Sequence, residues 1–353
     1  MGKRLNATLN EISRAQTKRA LARYYDDRSI NGNDWAIFRV IIGGRKTGKS
    51  YVVTDRMCRL KRDMGDNCKA YWLRISDTSI KMLLSNNADK LVDPDLKRRY
   101  GLNNLKVKRG DVFNDGKVFC GAYPLSAFGK LKGVGFYDKD FDGKYIIVLD
   151  EFQLEQGERR TSFDILYNFI GMVENLIRTT KSNVEIWLLG NTLEEASTIL
   201  KAFNFIPEKF GRFYLRRKRC VIDNLEPTEE YLADRAGSVA SLLGGDEMSN
   251  YKNALTRDRA LITTQPLKSP SFIIKFGKDR SDWYTLWNDN IITRYKGQSC
   301  KNVIAMRPYI DAQYTREGRL QIIEMYDARA FRFRNYIDKC YFEDALKSVR
   351  TTT

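Results

Sequence analysis

The sequence predicts an α/β protein whose main domain is a mostly parallel sheet flanked by helices, and three observations carry that expectation. Short β-branched and aromatic runs alternate with longer helical stretches through residues 35–189. A glycine-rich loop joins the first of those runs to the first clear helix. The most apolar run, YIIVL at 145–149, ends in two acids, Asp150 and Glu151.

Residues 5–27 are basic and helix-permissive, with neither Gly nor Pro, and NGND at 31–34 marks a turn. The run WAIFRVII at 35–42 has buried-strand character. A helix is expected over 50–64, a strand over 70–74, and a helix again over 80–91, which Pro94 should stop. A hairpin is expected over 112–122, turning at Asn114, Asp115 and Gly116. Strands at 145–149 and 184–189 bracket a helical stretch at 162–179. Past residue 225 the pattern changes. Pro227 near the start and Gly244-Gly245 just past the end frame a helix at 227–243, and a polar stretch follows at 246–259. Strands at 271–276, 283–287 and 290–295 and a basic helix at 326–349 complete the chain. The division this implies is a domain at 1–227, a helical linker at 228–262 and a small α/β domain at 263–353.

A length of 353 residues suits two domains, and 42% hydrophobic with 12% aromatic residues excludes wholesale disorder. No apolar run reaches the length of a spanning helix and no apolar signal core follows Met1, so a soluble, unexported protein with no membrane partner is expected. There is no histidine, which excludes Ser-His-Asp and Cys-His hydrolysis and nearly all catalytic zinc sites. Six cysteines without a CxxC pair read as buried thiols. The formal charge of +17 implies a polyanionic partner, nucleic acid by default, with mere solubilisation as the alternative.

The chemistry concentrates at two places. Gly43, Gly44, Arg45, Lys46, Thr47, Gly48, Lys49 and Ser50 match G-x-x-x-x-G-K-[ST] between a strand and a helix. Glycines let successive N–H groups curl around phosphates at a helix N-terminus. Lys49 then reaches the β and γ phosphates, and Ser50 holds Mg²⁺. Asp150 and Glu151 close a strand at the edge where open α/β sheets bind ligands. Asp150 can hold Mg²⁺ through water and Glu151 can polarise the attacking water, an arrangement suited to an ATP hydrolase that spends ATP on motion. Asn191 ends another apolar strand, where it could sense the γ-phosphate or simply turn the chain. Arg178, near the end of the intervening helix, could serve phosphoryl transfer or face the helix dipole. Lys130 and Lys132 sit in the glycine-rich FGKLKGVG, suited to gripping phosphates without reading bases, or merely solvated. The densest basic run, Arg216 to Arg219, reads either as part of a lid beside the nucleotide or DNA, or as a charged sheet edge.

Four stretches together resemble one family. They are GGRKTGKSY after a strand, DGKVFCGAYPLSAFGKLKG, YIIVLDEF and ENLIRTTKSNVEIWLLGN, with FNFIPEKFGRF adding to them. From about residue 35 to 213 the chain resembles the DNA-packaging ATPases of phi29-like phages, compact relatives of the large terminase motors; the last third matches only loosely. The resemblance implies a P-loop NTPase fold of the additional-strand, ring-forming class, with ATP and Mg²⁺ as cofactors. It implies nucleotide and catalytic roles for Lys49, Ser50, Asp150 and Glu151, a trans-acting role for Arg178, and a sensing role for Asn191. It places Arg74 near the nucleotide and Lys132, with Lys130 beside it, on a DNA-gripping loop. The family's basic residue shortly after the acidic pair is missing here, where Leu154 and Glu155 stand.

The implied partners are double-stranded DNA, the portal of a procapsid and further copies in a ring, a pentamer by resemblance, with a packaging RNA left open. The implied location is the host cytoplasm, docked on the portal and absent from the virion. The C-terminal domain would be a vestigial, RNase H-like nuclease, since the strand at 271–276 lacks the first metal-binding acid. Its basic surface (Arg329, Arg332, Arg334, Lys339) would hold DNA or the portal. Two other readings compete: a helicase-type ATPase on single strands, and a DNA-binding protein with a decayed phosphate loop. Intact Lys49, Ser50, Asp150 and Glu151 argue against decay, and the single aromatic Phe128 by the Lys130 loop argues against a stacking channel.

Overall fold

Phe38–Ile42 (β1) is the strand around which the first part of the chain is organised, with Val40, Ile41 and Ile42 fully buried. The computed structural model describes residues 33–130, 141–153, 164–177, 183–191, 197–207, 209–236 and 261–350. Lys49–Met64 (α1) follows β1, and its buried Val53, Met57 and Leu60 recur at helical spacing toward the sheet. Cys68–Arg74 (β2) leads to Asp77–Ala88 (α2), capped by the Ser76 hydroxyl, which accepts from the Ser79 N–H. The backbone of α2 breaks at Asn86 and Asn87, whose φ values of 51° and 57° suit asparagine better than most residues. The helix thus stops short of the expected 91. Pro94 does more than stop it: it opens Pro94–Tyr100 (α3), where its missing N–H costs nothing and Asp93 caps the Asp95 N–H at 2.9 Å.

Leu105–Lys108 (β3), Asp111–Asn114 (β4) and Lys117–Pro124 (β5) form an antiparallel meander. The expected hairpin turn is present, with Asp115 and Gly116 both at positive φ. Lys144–Asp150 (β6), Ile165–Leu176 (α4) and Asn183–Gly190 (β7) come next, then Thr198–Ala202 (α5), Gly211–Leu215 (β8), Cys220–Asn224 (β9) and Glu229–Ala236 (α6). The nine-stranded sheet has the order β3-β4-β5-β2-β6-β7-β1-β9-β8, parallel from β5 to β9. Strand β7 lies between β1, which leads into the glycine-rich loop, and the acid-bearing β6. Strands β8 and β9 escaped the sequence reading because β9, CVIDN, is short and ends in Asp223 and Asn224. Both are fully buried, and Asp223 is paired with Arg212.

The β8–β9 connection bears on the two readings of the basic run and favours the charged sheet edge over a place beside the nucleotide loop. Arg219 bonds through its carbonyl to the Ile37 and Phe38 N–H groups, and Cys220 pairs with Phe38 at the start of β1. The basic run Arg216 to Arg219 therefore turns at the sheet edge opposite the phosphate loop, with Arg216 4.3 Å from the Trp35 ring centre. It is not beside the nucleotide loop.

The chain divides into two compact units, Met1–Phe203 with Lys209–Leu255 and Asn204–Glu208 with Thr256–Thr353. In the second, Pro270–Lys275 (β10), Trp283–Trp287 (β11), Ile291–Arg294 (β12) and Val303–Ala305 (β13) precede Arg316–Asp327 (α7), Arg332–Phe333 (β14) and Tyr336–Arg350 (α8). Its sheet order is β13-β10-β11-β12-β14. Buried Phe342 is ringed by Phe276, Tyr284, Phe331 and Phe333, with centroids 5.2–5.7 Å away. The single basic helix expected at 326–349 is two helices around a strand. Phe331 and Phe333 alternate at strand period, both 1% exposed, and pull the segment onto β12. Lys339, expected on a basic surface, is instead buried against Glu343 at 3.2 Å.

None of the six cysteines is in a disulfide and five are buried, as their scatter implied. The expected helix at 5–27, most of the linker at 228–262 and the ends of the helix at 162–179 lie outside the described residues. No helix among the described residues is long and apolar enough to cross a membrane.

Among the charges buried in the large sheet, one is held by several partners. Glu185 on β7, 1% exposed, meets Lys144 at 2.6 Å and Arg56 at 3.2 Å and accepts from the Trp187 indole at 2.8 Å. Burial alone would raise its pKa; the cations of Arg39, Arg56 and Lys144 outweigh it and hold the carboxyl at about 2 against an ordinary 4.5. Its ionised form therefore stabilises the fold fully above pH 4.5, and that contribution is lost as pH falls through 2. Glu185→Ala is expected to cost about 3 kcal/mol in urea denaturation at pH 7, by stranding these cations. Glu185→Gln should flatten the acid limb of the stability curve below pH 4.5.

Candidate functional site

The loop after β1 owes its curl to two glycines. Gly48 caps α1 at φ 84°, a conformation costly for other residues, and Lys46 also sits at positive φ (64°). A Cβ on Gly43 would lie 2.9 Å from Leu225, so only glycine lets β1 run this close to the chain leaving β9. The first turn of α1 holds no acid and no side chain caps it, leaving its N–H groups and positive dipole end for an anion. Tyr231 on α6 ties the loop down from outside, donating to the Arg45 carbonyl at 2.6 Å.

Lys49 is 5% exposed and its Nζ folds back on the loop, donating to the carbonyls of Gly43 (2.8 Å) and Gly44 (2.7 Å) and to Thr47 Oγ1 (3.3 Å). Burial pushes its ammonium down to about 8, against the opposing pull of Asp150 and Glu151 and with a further push from Arg45. It remains mostly protonated at neutral pH, and its carbonyl partners are ones that a stronger anionic acceptor can replace.

The acids arrive from β6. Asp150 ends the strand almost fully buried, and Glu151 begins the turn at φ 56° with its side chain 42% exposed. Arg74, at the end of neighbouring β2, reaches both: Nη2 lies 2.7 Å from Asp150 Oδ2 and Nη1 3.2 Å from Glu151 Oε2. Burial works against the charge of this guanidinium, and the two carboxylates more than offset it, leaving its pKa raised. The sequence reading put Arg74 near the nucleotide; the structure adds that it forks across both acids.

These groups line one cavity of about 380 Å³, formed by residues 45–51, Arg74, Asp150, Glu151 and Asn191. Strand register brings them there: Ile42 pairs with Gly190 and Leu189 with Asp150, so three strands end level. Ser50 and Asp150 both line this cavity, and a hydroxyl with a carboxylate is a hard oxygen donor set of the kind magnesium takes. Gly43 and Gly44 contribute through their carbonyls. Lys130 ends the 3₁₀ turn Leu125–Lys130. Arg178 and Lys132 lie outside the described residues. Sequence reasoning missed Tyr231, which no spacing rule links to a loop 186 residues away. It also missed Tyr51, which lines the cavity and donates to Asp95 Oδ2 at 2.7 Å.

No protein-family model matches the chain, and no curated protein matches it in sequence. Among solved structures the chain is similar to the bacteriophage Phi-29 viral genome packaging motor assembly, with a TM-score of 0.66 and 18% identity, over 93% of this chain and 100% of that one. It is also similar to the Phi-28 gp11 DNA packaging motor, with a TM-score of 0.62 and 15% identity, over 94% and 98% of the two chains. At such identity the likeness establishes a shared fold across nearly the whole chain.

Because Lys49 titrates near 8 here and at an ordinary 10.5 when unfolded, the unfolded chain binds more protons between those values. The stability of the wild type relative to Lys49→Met is therefore expected to rise as pH climbs from 8 to 10.5, by roughly 2–3 kcal/mol in all. Thermal melts of both proteins without nucleotide across that window measure it.

Proposed function

We propose that the protein is an ATPase that drives double-stranded DNA into a viral procapsid. The observation that carries this reading is the meeting of the curled phosphate loop with Asp150 and Glu151 around one cavity. The charge of +17 supports a polyanionic track, and the packaging-motor fold supports the viral setting.

In this reading the loop N–H groups and the α1 terminus take the phosphates of ATP, and Lys49 exchanges its carbonyl partners for the β and γ phosphate oxygens. Magnesium, held by Ser50 and Asp150, would supply charge neutralisation between the phosphates. Arg74, paired with both acids, holds Asp150 and orients Glu151. Glu151 accepts a proton from the water that attacks the γ-phosphorus, and the bond to the ADP oxygen breaks. Asn191 orients that water or the γ-phosphate. Arg178 of a neighbouring subunit stabilises the transferring phosphoryl group in a ring docked on the portal, and Lys130 and Lys132 push on DNA phosphates. The second unit is a non-cutting domain: β10 carries Lys275, paired with Asp311 at 2.6 Å, and no acid. Its place of work is the host cytoplasm, at the portal.

Purified protein is expected to hydrolyse ATP faster with long duplex DNA than without; no turnover under either condition overturns the assignment. Glu151→Gln should bind ATP normally in equilibrium dialysis while turnover falls by about 10²-fold or more. Mixing Glu151→Gln with Arg178→Ala subunits should restore part of the hydrolysis that each lacks alone, whereas no recovery at any ratio removes the trans role of Arg178.

A further inference from the structure

Two residues past Glu151 stands a group that the mechanism above does not use. Gln153 is 7% exposed, and neither its Nε2 nor its Oε1 has a hydrogen-bond partner. Among the described residues no other side-chain amide is buried with both polar ends bare. Burying an amide strips it of water, and a native arrangement that returns nothing is an exception needing a physical reason.

Its position supplies one. The amide lies against Gly190, so closely that a Cβ there would stand 2.5 Å from Oε1 and 2.9 Å from the Phe152 ring. Gly190 is the last residue of β7, and Asn191, which faces the cavity, follows it directly. The Gly190 carbonyl accepts from the Gly43 N–H at 3.1 Å, and the Gly43 carbonyl in turn accepts from Lys49 Nζ at 2.8 Å. On the other side, the Phe152 N–H donates to the Leu189 carbonyl at 3.1 Å. Gln153 thus sits where the phosphate loop, the Asn191 strand end and the turn carrying Glu151 are stitched together. Any ligand that draws Lys49 off its carbonyls and pulls on Asn191 disturbs the main chain on which the bare amide rests.

We propose that Gln153 is a positioning residue that responds to occupancy of this cavity. Its amide, unpartnered in the free protein, hydrogen-bonds to the Gly190–Asn191 main chain when a nucleoside triphosphate is bound, and so holds Asn191 toward the terminal phosphate. The proposal rests on the reading of the cavity as a nucleotide site. A free state that leaves the amide bare and a bound state that pairs it differ in stability, and that difference favours the ligand.

The test compares wild type with Gln153→Met, similar in volume but without hydrogen-bonding groups, using a non-hydrolysable ATP analogue with magnesium. Wild type is measured first: if the analogue produces no thermal shift, the nucleotide reading itself falls, and this proposal with it. Given a wild-type shift, the free variant is expected to melt about 2–4 °C higher than free wild type. Its affinity for the analogue should be about 5–30-fold weaker. A merely structural amide would do the reverse and lower the melting temperature. Any fall in the free variant's melting temperature, or an undiminished affinity, overturns the proposal. In wild type, hydrogen exchange in the peptide containing Gly190 and Asn191 should slow on adding the analogue, and unchanged exchange there overturns it without recourse to a variant.

Discussion

The parallel register of β1, β7 and β6 is the constraint on which the site depends. Hydrogen-bonded pairing sets Ile42 against Gly190 and Asp150 against Leu189, so the phosphate loop, Asn191 and the acids emerge at one edge. A slip of one residue between β6 and β7 would send Asp150 to the other face of the sheet and break its pairing with Arg74. The register is secured by side chains far from the edge, since Ile146 to Leu149 and Ile186 to Leu189 are all within 2% of full burial. Chemistry at the rim is thus underwritten by apolar packing in the middle.

Arg74 adds a second layer of order. Two carboxylates on adjacent residues repel one another, and a guanidinium shared between them offsets that repulsion beside a buried lysine. The left-handed backbone at Glu151 is part of the same arrangement, because it turns the second acid off the strand and toward the fork. This conformation is strained for glutamate, and strain of that kind persists where the surroundings over-determine it.

Much of this was legible in the sequence because its physics is local. A strand, a glycine turn and a helix start are written in consecutive residues, as are an apolar run and the acids that end it. The strands at 145–149 and 184–189 needed only a residue or so at each end. What was lost depended on distant partners. Tyr231 clamps Arg45 across the chain, and Arg74 shows its fork only once β2 lies beside β6. The strand Arg332–Phe333 read as helix because arginine and phenylalanine are compatible with either form, and only the burial of Phe331 and Phe333 around Phe342 decides it. Pro94 read as a terminator because the sequence does not tell whether a helix stops before proline or begins on it.

The cavity wall carries four cations, Arg45, Lys46, Lys49 and Arg74, and two carboxylates, so the bare site holds a surplus of two positive charges. A triphosphate with its magnesium brings about two negative charges, and a diphosphate with the same ion about one. Entry of the first brings the compartment to neutrality; departure of the cleaved phosphate reopens an imbalance among cations already crowded together. On the proposed function the spent ligand is electrically the poorer fit in such a vessel, which would bias the cycle toward emptying and reloading.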